Sequence, residues 1–301
     1  MISKPTIALG PEIDRQSWDW VGFDVGRELS KYFNVVFFPQ NARKVPEANL
    51  VFFIKMLPHP KMWMNARDRS IKMVYCPIDY YRDESHIHSS ANFLRQCETI
   101  LVHCERLLPV FEPYCKRVQF VEHHNRFGLI KPSSYKPNGY AVWVGHSESL
   151  THAFRWLVEH PLGLYIKFLT DSSVPVQGLL PIQDPHEIID WNPLLQRDVM
   201  AGAKVAFDIK GLDFNQMHKP PVKAQQFIAS GIPFATNLEC YSAEYFAARG
   251  FQIVSFVETD RWFSQDYWRK TTSTGEELRT RLTLENVGLH YKRIVETLLN
   301  T

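Results

Sequence analysis

The sequence predicts an α/β protein built from two consecutive domains, each with a parallel sheet flanked by helices. Short apolar segments alternate with amphipathic ones along the chain, which is typical of strands joined by helical crossovers. The alternation stops once, over residues 125–139, a stretch with two prolines, two serines and two glycines, and then restarts. The length of 301 residues suits two domains of ordinary size. We therefore predict one domain over residues 1–128 and a second over 139–301, the latter including the terminal helices.

The N-terminal half alternates regularly. Apolar residues at positions 21, 25, 29, 32 and 33 have the spacing of one helix face, whereas short runs rich in Val, Ile and Phe predict buried strands. The predicted strands are Thr6–Leu9, Val35–Phe38, Leu50–Ile54, Lys72–Cys76, Thr99–His103 and Val118–Glu122. The predicted helices are Trp20–Phe33, Pro60–Arg69, Glu84–Cys97 and Glu105–Tyr114. This order favours parallel pairing with right-handed crossovers.

The C-terminal half repeats the pattern. The predicted strands are Tyr140–Val144, Tyr165–Leu169, Glu187–Asp190, Lys204–Ile209, Ile232–Ala235 and Gln252–Phe256. The predicted helices are Thr151–Glu159, Pro193–Ala201, a helix entered at Pro220 and Pro221 and left at Gly231, Ser242–Arg249, and two C-terminal helices, the last near Leu284–Leu299. Two open α/β sheets in succession predict a cleft between the domains, because ligands of such sheets bind at the carboxyl ends of the strands.

The helix after Pro221 carries the clearest chemical signal. Proline suits a first helical turn, and Gly231 suits a left-handed exit. His218, Lys219 and Lys223 lie where the helix begins, so cationic side chains, free N–H groups and the positive end of the helix dipole converge. That combination favours a phosphate or diphosphate. The alternative is an ordinary surface helix with solvated lysines.

Composition excludes several classes of function. The formal net charge is +2 without any block rich in lysine or arginine, so no nucleic-acid partner is expected. The longest apolar run, residues 50–57, is too short to span a bilayer, which leaves only peripheral contact with a membrane open. The N-terminus does not resemble a secretory signal, and the five scattered cysteines suit reduced thiols. A cytoplasmic location is the expectation.

Missing motifs narrow the choice further. The chain contains no Gly-x-Gly, no Gly-x-Ser-x-Gly and no Asp-x-Asp, which argues against a dinucleotide fold, a Walker loop, a hydrolase elbow and a metal-held diphosphate. The histidine and cysteine spacings match no closed zinc pattern. We expect no metal and no cofactor.

The order of motifs in the C-terminal half resembles the donor domain of the GT-B glycosyltransferases, in particular the retaining family 4 that uses nucleotide-sugars. The resemblance rests on strand Tyr140–Val144 with Gly145, on Asp190-Trp191-Asn192 before a helix, on the segment from Lys219 to Pro233 with its Gly-x-Pro end, and on the terminal helix. It implies two Rossmann-like domains facing a central cleft, with the C-terminal helix returning toward the first domain. The N-terminal half agrees in element order only.

Two departures from that family stand out. Its two glutamates, eight residues apart, correspond to His218 and Gln226 here, and glutamine cannot accept a proton or balance a cation. The basic pair after the first donor-domain strand corresponds to His146 and His152. The resemblance therefore supports the fold more strongly than a standard reaction.

The predicted donor site contains residues for the diphosphate and for the nucleotide. Lysines would stabilise the charge of a leaving diphosphate, Trp191 would stack on a base, and Asp190 would bind the ribose or a base edge. Their alternatives are solvated lysines, a core tryptophan and a helix cap at Asp190 or Asn192. The predicted donor-binding residues are His146, Asp190, Trp191, Lys210, His218, Lys219, Lys223 and Gln226.

The predicted acceptor side lies in loops after the first domain's strands. Asp19, beside Trp18 and Trp20, and Asp79 are the candidate catalytic residues, since an inverting enzyme needs a general base near the acceptor hydroxyl. A retaining enzyme needs no such base, and the sequence does not decide between the two. Asp19 has the alternative of capping the next helix.

The leading hypothesis is a metal-independent glycosyltransferase that moves a sugar from a nucleotide-sugar to an unidentified acceptor. A non-catalytic ligand- or protein-binding protein on the same scaffold is the alternative. Transfer to modified nucleic acid is disfavoured by the weak net charge.

Overall fold

The computed structural model describes residues 4–171 and 179–301, which form two compact units. The first unit comprises residues 4–124 together with 282–301, and the second comprises residues 125–281. The predicted division placed both terminal helices in the domain 139–301, whereas the last helix packs within the first unit. Each unit contains one six-stranded parallel sheet, which confirms the predicted α/β class. No helix within the described ranges is long and apolar enough to cross a bilayer.

The first unit has the strand order β2-β1-β3-β4-β5-β6. All its neighbouring strands run parallel. The central strand β3 is buried along its whole length, as expected for a parallel sheet covered on both faces. The chain passes from β1 to β2 on one side and then from β2 to β3 on the other side of β1, so the topological switch point lies between β1 and β3. The strands are β1 Thr6–Glu12, β2 Asn34–Pro39, β3 Leu50–Ile54, β4 Lys72–Cys76, β5 Thr99–Val102 and β6 Val118–Phe120.

The helices of the first unit differ from the predicted bounds: the one before β2 begins and ends four residues earlier, and the others are shorter or broken. The predicted helix 84–97 is broken at Ser90, whose φ of −96° and ψ of 3° end one helix and begin the next. The helix before β2 starts at Gln16 and contains a π-helical turn, Asp19–Asp24, where Gly22 makes room for the buried Trp18 ring. The helices are α1 Gln16–Trp18, α2 Val25–Leu29, α3 Pro60–Asp68, α4 Glu84–Ser89, α5 Ala91–Leu94 and α6 Leu108–Phe111, the last preceded by a 3₁₀ turn at Glu105–Leu107.

The second unit has the strand order β12-β11-β10-β7-β8-β9, again all parallel. The chain leaves β7 toward β8 and β9 and returns to β10 on the other side, so this switch point lies between β7 and β10. The strands are β7 Tyr140–Val144, β8 Ile166–Thr170, β9 His186–Asp190, β10 Ala203–Asp208, β11 Phe234–Thr236 and β12 Val254–Ser255. The helices are α7 Leu150–Glu159 (after a 3₁₀ turn at Ser147–Ser149), α8 Pro193–Gly202, α9 Phe214–Met217, α10 Val222–Ala229, α11 Tyr241–Ala247, α12 Thr259–Trp262 and α13 Gln265–Arg281.

The predicted linker, residues 125–139, has no regular secondary structure but packs within the second unit. The backbone N–H groups of Leu129 and Ser133 donate to the Oγ and the carbonyl oxygen of Ser230, at 2.9 and 2.8 Å. Trp268 Nε1 donates to the carbonyl oxygen of Ser133 at 3.3 Å. These contacts fix the segment against the end of α10.

The last helix, α14 (Leu284–Leu299), completes the first unit. Its apolar stripe is buried, and Tyr291 packs on Phe52 of β3 with ring centroids 6.2 Å apart. Gly288 allows close approach to the Glu28 side chain of α2, because a Cβ there would lie 2.2 Å from Glu28 Cγ. Lys72 of β4 donates to the carbonyl oxygen of Leu298 at 2.5 Å, which satisfies one of the last carbonyls of the helix.

Candidate functional site

The carboxyl ends of β7 and β10 form the switch point of the second sheet, where open α/β sheets bind their ligands. β7 ends at Val144 and is followed by Gly145 and His146, while β10 ends at Asp208 and is followed two residues later by Lys210. The two strands are hydrogen-bonded neighbours. The side chains at these two strand ends therefore lie together at one edge of the sheet.

A buried ion-pair cluster occupies this edge. The carboxylate of Asp208 is 3% exposed and lies between two ammonium groups, with Lys210 Nζ 2.5 Å from Oδ2 and Lys223 Nζ 3.1 Å from Oδ1. Lys210 is nearly buried, whereas the Lys223 side chain is 29% exposed. One negative and two positive groups leave the cluster with a net positive charge. We call Lys210, Asp208 and Lys223 the lysine–aspartate cluster.

The cluster shifts the titration of its members. Burial favours the neutral acid, but the two lysines outweigh it and lower the pKa of Asp208 to about 2. Burial lowers the pKa of Lys223 to about 8. The attraction of Asp208 opposes this shift, but the positive charges of Lys210 and Lys219 lower the pKa further. The carboxylate is thus ionised at neutral pH, and Lys223 is the member that titrates near it.

Lys223 reaches from α10 across to β7. Its ammonium lies over the indole of Trp143, 4.8 Å from the ring centroid. It also occupies the place that a side chain at position 145 would need, since a Cβ on Gly145 would lie 2.7 Å from Lys223 Nζ. Gly145 is therefore required for the ammonium to rest at the end of β7. This contact explains why a glycine directly follows the first strand of the unit.

The start of α10 adds backbone donors to the cluster. The first N–H groups of a helix lack intrahelical partners, and the residue before this helix, Pro221, offers them no side-chain cap. The positive end of the helix dipole lies at the same place. Lys219 precedes the helix, and its charge acts on Lys223. Together these groups form a cationic surface suited to a phosphate or diphosphate.

His146 lies at the same edge but faces a carboxylate. Its Nδ1 is 3.6 Å from Oδ2 of Asp171, and its side chain is 64% exposed. Asp171, which follows β8, accepts hydrogen bonds from the Ser147 N–H at 2.7 Å and the Thr170 hydroxyl at 3.1 Å. Burial opposes ionisation of Asp171, but the hydrogen bonds from Ser147 and Thr170 and the charge of His146 together outweigh it and lower the pKa of the carboxyl group.

The predicted nucleotide side contains a chain of hydrogen bonds. Trp191 Nε1 donates to Gln196 Oε1 at 2.6 Å, and Gln196 Nε2 donates to Gln226 Oε1 at 3.3 Å. Phe127 packs edge-on against the indole of Trp191 with centroids 5.5 Å apart. The half-buried ring is thus held in a fixed orientation by a buried glutamine pair.

The remaining predicted donor residues are placed as follows. Asp190 is exposed at the end of the edge strand β9. His218 is engaged within its own short helix. Its Nδ1 donates to the carbonyl oxygen of Phe214 at 2.7 Å, and its ring packs on Phe214 with centroids 4.1 Å apart. Asn192, not Asp190, caps α8, since its Oδ1 accepts from the Leu195 N–H.

The two predicted catalytic carboxylates lie in the first unit. Asp79 is exposed after β4 and adopts a left-handed backbone conformation with φ of 49°. Asp19 is half-buried within the π-helical turn. The alternative that Asp19 caps the next helix is wrong, because the helical segment already starts at Gln16. The roles of both carboxylates stay predictions.

Sequence reasoning missed Asp208 and Gln196. Asp208 was counted inside the predicted strand 204–209, although a carboxylate in a buried strand requires a partner of opposite charge. That requirement was the available signal. Gln196 gave no such signal, because a glutamine on an amphipathic helix is ordinary.

Within the described ranges, no three His, Cys, Asp or Glu side chains group so as to hold a metal ion.

No known family model matches the chain, and no curated protein matches its sequence. Solved structures do match. A structure of Anabaena Alr3699/HepE in complex with UDP-glucose aligns with a TM-score of 0.67 at 10% identity, covering 98% of this chain and 99% of that one. AviGT4, a glycosyltransferase involved in avilamycin A biosynthesis, aligns with a TM-score of 0.60 at 11% identity and covers 98% of both chains.

Other matches differ in length and in bound ligands. In the GtfA/B complex, the match has a TM-score of 0.56 at 12% identity and covers 83% of this chain but only 58% of that one. An α-glucosyltransferase in complex with UDP and a 13-mer DNA and T4 phage BGT in complex with UDP and Mn²⁺ each align with a TM-score of 0.55 at 9% identity. With its two parallel six-stranded sheets, the chain has the GT-B glycosyltransferase fold.

Proposed function

We propose that the chain is a glycosyltransferase that binds a nucleoside diphosphate sugar at the carboxyl edge of the second sheet. The lysine–aspartate cluster carries this proposal, because it places a net positive charge at the switch point beside the start of α10. The UDP and UDP-glucose complexes of structures with the same fold support it. We take a uridine diphosphate sugar as the first donor to test.

The cluster suits the chemistry of a leaving diphosphate. As the glycosidic bond breaks, negative charge accumulates on the diphosphate oxygens, and fixed cations and N–H dipoles stabilise it. An ammonium group carries three N–H donors, so Lys223 keeps its ion pair with Asp208 through one and offers others to a phosphate. Asp208 thus holds the lysines in place before the substrate arrives.

We further propose that transfer needs no divalent metal, because lysines supply the positive charge that a metal would otherwise bring. The structure of T4 phage BGT contains UDP and Mn²⁺, so the effect of EDTA on the activities of the two proteins can be compared. We propose an acceptor other than nucleic acid, since the formal net charge is only +2.

A non-catalytic binding protein is the second candidate. The two residues that stand in place of the family's glutamates are both engaged within the fold: Gln226 Oε1 accepts from Gln196, and His218 Nδ1 bonds to Phe214. Neither is a carboxylate. This observation favours a site that binds a nucleotide without turning a donor over.

Release of UDP from UDP-glucose, measured with and without EDTA, separates the two candidates. Turnover that persists in EDTA supports a metal-independent transferase, whereas UDP binding by calorimetry without turnover supports the non-catalytic protein. Absence of binding for UDP, GDP, ADP and TDP alike would contradict both.

The affinity for UDP is expected to fall as the pH rises from 7 to 9.5. The pKa of Lys223 is lowered to about 8, so its ammonium is lost over this range, while the phosphates of UDP are already ionised at pH 7. Loss of one charged hydrogen bond corresponds to about a tenfold weaker affinity. Calorimetry in buffers of different ionisation enthalpy would show proton uptake on binding near pH 8. Lys223→Arg keeps its charge throughout, so the pH dependence should vanish; its persistence would assign it to another group.

Gly145→Ala is expected to weaken UDP binding and to lower stability. The new Cβ meets Lys223 Nζ at 2.7 Å and the buried Trp143 ring at 2.6 Å, so the ammonium must move and the core is overpacked by about 1–3 kcal/mol. Gly202→Ala is a matched control, because its Cβ meets the Tyr140 hydroxyl at 2.5 Å, before β10 and away from the cluster. It should lower stability without changing UDP affinity. Equal loss of affinity in both variants would contradict the role of Gly145.

A further inference from the structure

Strand β9, His186–Asp190, forms one edge of the second sheet. It pairs in parallel with β8 on one side, and no other strand of the described residues pairs with it on the other side. The side chains of His186, Ile188 and Asp190 are exposed, that of Ile188 by 37%. An edge strand that presents an apolar side chain to water is a template for pairing with another chain.

The backbone of β9 directs the groups of alternate residues outward. The carbonyl oxygen of Pro185 accepts from the Ile166 N–H of β8, and the Trp191 N–H donates to the carbonyl oxygen of Thr170, both at 2.9 Å. Odd-numbered residues of this segment therefore face β8, because successive residues of a strand direct their N–H and C=O groups to opposite sides. The backbone groups of the even-numbered residues, His186, Ile188 and Asp190, face the open edge.

The other sheet edges in the described ranges are less suited to pairing. At two of them the strand is short, with two residues in β12 and three in β6. The third edge strand, β2, ends at Pro39, which has no N–H to donate. Its Phe37 ring is also covered by Trp18 and Phe23, with centroids 5.8 and 5.9 Å away. Strand β9 has five residues and contains no proline.

The sequence of β9 is complementary to itself in the antiparallel sense. When two copies pair about a two-fold axis at Ile188, this residue lies opposite its own counterpart, and His186 lies opposite Asp190 of the second copy. All three face outward, so each opposite pair exchanges two backbone hydrogen bonds. A carboxylate accepts several hydrogen bonds, so Asp190 binds a histidine of the second copy in addition to any neighbour in its own chain.

The remaining two residues of the strand do not oppose this arrangement. Glu187 lies opposite Ile189 of the second copy, so no like charges meet across the axis. The Glu187 carboxylate is also paired within its own chain, 2.8 Å from Lys167 Nζ on β8. Opposite charges at both ends of the strand and an isoleucine pair at its centre therefore specify one register.

We propose that the chain forms a two-fold symmetric homodimer in which the β9 strands of two copies pair antiparallel and join their second sheets into one continuous sheet. An unrelated peptide strand gains the backbone hydrogen bonds but not the two His–Asp pairs, which is why the partner is a second copy of this chain. The inference does not use the donor site, so it stands or falls independently of the proposed function.

Cross-linking through Ile188→Cys tests the register. Opposite residues of a hydrogen-bonded antiparallel pair have Cα atoms about 5.5 Å apart, which lies within the range of about 4.4–6.8 Å that a disulfide spans. Glutathione disulfide is expected to oxidise the two introduced thiols to one interchain disulfide, releasing two molecules of glutathione. The native cysteines are buried. Val36→Cys is the matched control, since Val36 is 38% exposed on the edge strand β2, and it should stay monomeric on a non-reducing gel.

Sedimentation of the full chain over a wide range of concentrations tests the charge pairs. His186→Asp places two carboxylates opposite each other at both ends of the strand, so the dimer is expected to dissociate about tenfold more readily. Adding Asp190→His to that variant exchanges the two charges and should restore dimerisation, which a merely local role of His186 would not do. Thermal unfolding of both variants at low concentration verifies that the monomers are folded.

Each outcome decides the proposal. A wild-type chain that sediments as a monomer at every concentration overturns it, and so does a dimer that Ile188→Cys fails to cross-link. A dimer weakened by His186→Asp but not restored by the exchanged pair also overturns the register. Cross-linking of Ile188→Cys but not of Val36→Cys, together with restoration by the exchanged pair, supports it.

Discussion

Replacement of Lys210 and Lys223 together by alanine is expected to weaken UDP binding about 100-fold or more. Each lysine supplies a charge-assisted hydrogen bond worth about 1.5–3 kcal/mol, so the loss of two exceeds the effect of any single change at this edge. Both ammonium groups lie within 3.1 Å of one carboxylate, so they act at one point. Calorimetric titration with UDP measures the effect.

Two control variants make this result interpretable. Lys167→Ala with Lys204→Ala removes the same charge from the second sheet at a distance from the strand carboxyl ends, where Lys167 pairs with Glu187 and Lys204 lies over Phe263. The second control is a triple variant that adds Asp208→Asn to Lys210→Ala and Lys223→Ala. It avoids leaving a buried carboxylate unpaired. If the lysine–aspartate cluster binds the diphosphate, only the variants at positions 210 and 223 lose affinity. Equal affinity in all variants would place the donor elsewhere.

Asp208→Ala is expected to lower the free energy of unfolding by about 3 kcal/mol or more. Removing one partner of a buried ion pair leaves the other uncompensated, which typically costs about 3–5 kcal/mol, and the Lys210 side chain is only 8% exposed. Urea unfolding at pH 7 measures the change. Asp198→Ala, an exposed carboxylate on α8, should stay within about 0.5 kcal/mol of the wild type.

The same residue should shape acid unfolding. The folded pKa of Asp208 is about 2 against an ordinary 3.8, so the stability that its ionised form contributes is present above about pH 4 and is lost as the pH falls toward 2. Asp208→Ala should therefore flatten the loss of stability over that range. If Asp208→Ala loses as much stability as the wild type between pH 4 and pH 2, other carboxylates dominate acid unfolding.

Much of the fold could be predicted because parallel sheets bury their strands on both faces. Leu50–Ile54, Lys72–Cys76 and Tyr140–Val144 were predicted at the bounds the structure has. Helix ends were less well predicted, since local hydrogen bonds such as those at Ser90 decide them and periodicity does not. The membership of α14 in the first unit depends on tertiary contacts with Phe52 and Lys72, which no local pattern reveals.

The sequence predicted which lysines belong to the site, but it did not predict how they are arranged. The start of α10 and the end of β10 marked Lys223 and Lys210 as candidates for a phosphate, but nothing in the spacing of the sequence joined both to Asp208. The ion pair of Lys223 with Asp208 requires β10 and α10 to be adjacent in space. Likewise, Trp191 and Gln226 are far apart in sequence, and Gln196 connects them through its side-chain amide.

The position of α14 determines how the protein can be dissected into fragments. A fragment ending at residue 124 would lack the helix whose Val287, Tyr291 and Val295 are buried in the same unit, and it would expose an apolar surface to water. Grafting residues 282–301 behind residue 124 through a flexible connector would restore the missing surface, whereas a fragment of residues 125–281 already contains all of its own sheet. The first unit is thus discontinuous in sequence, whereas the second unit, which is inserted into it, is one continuous segment.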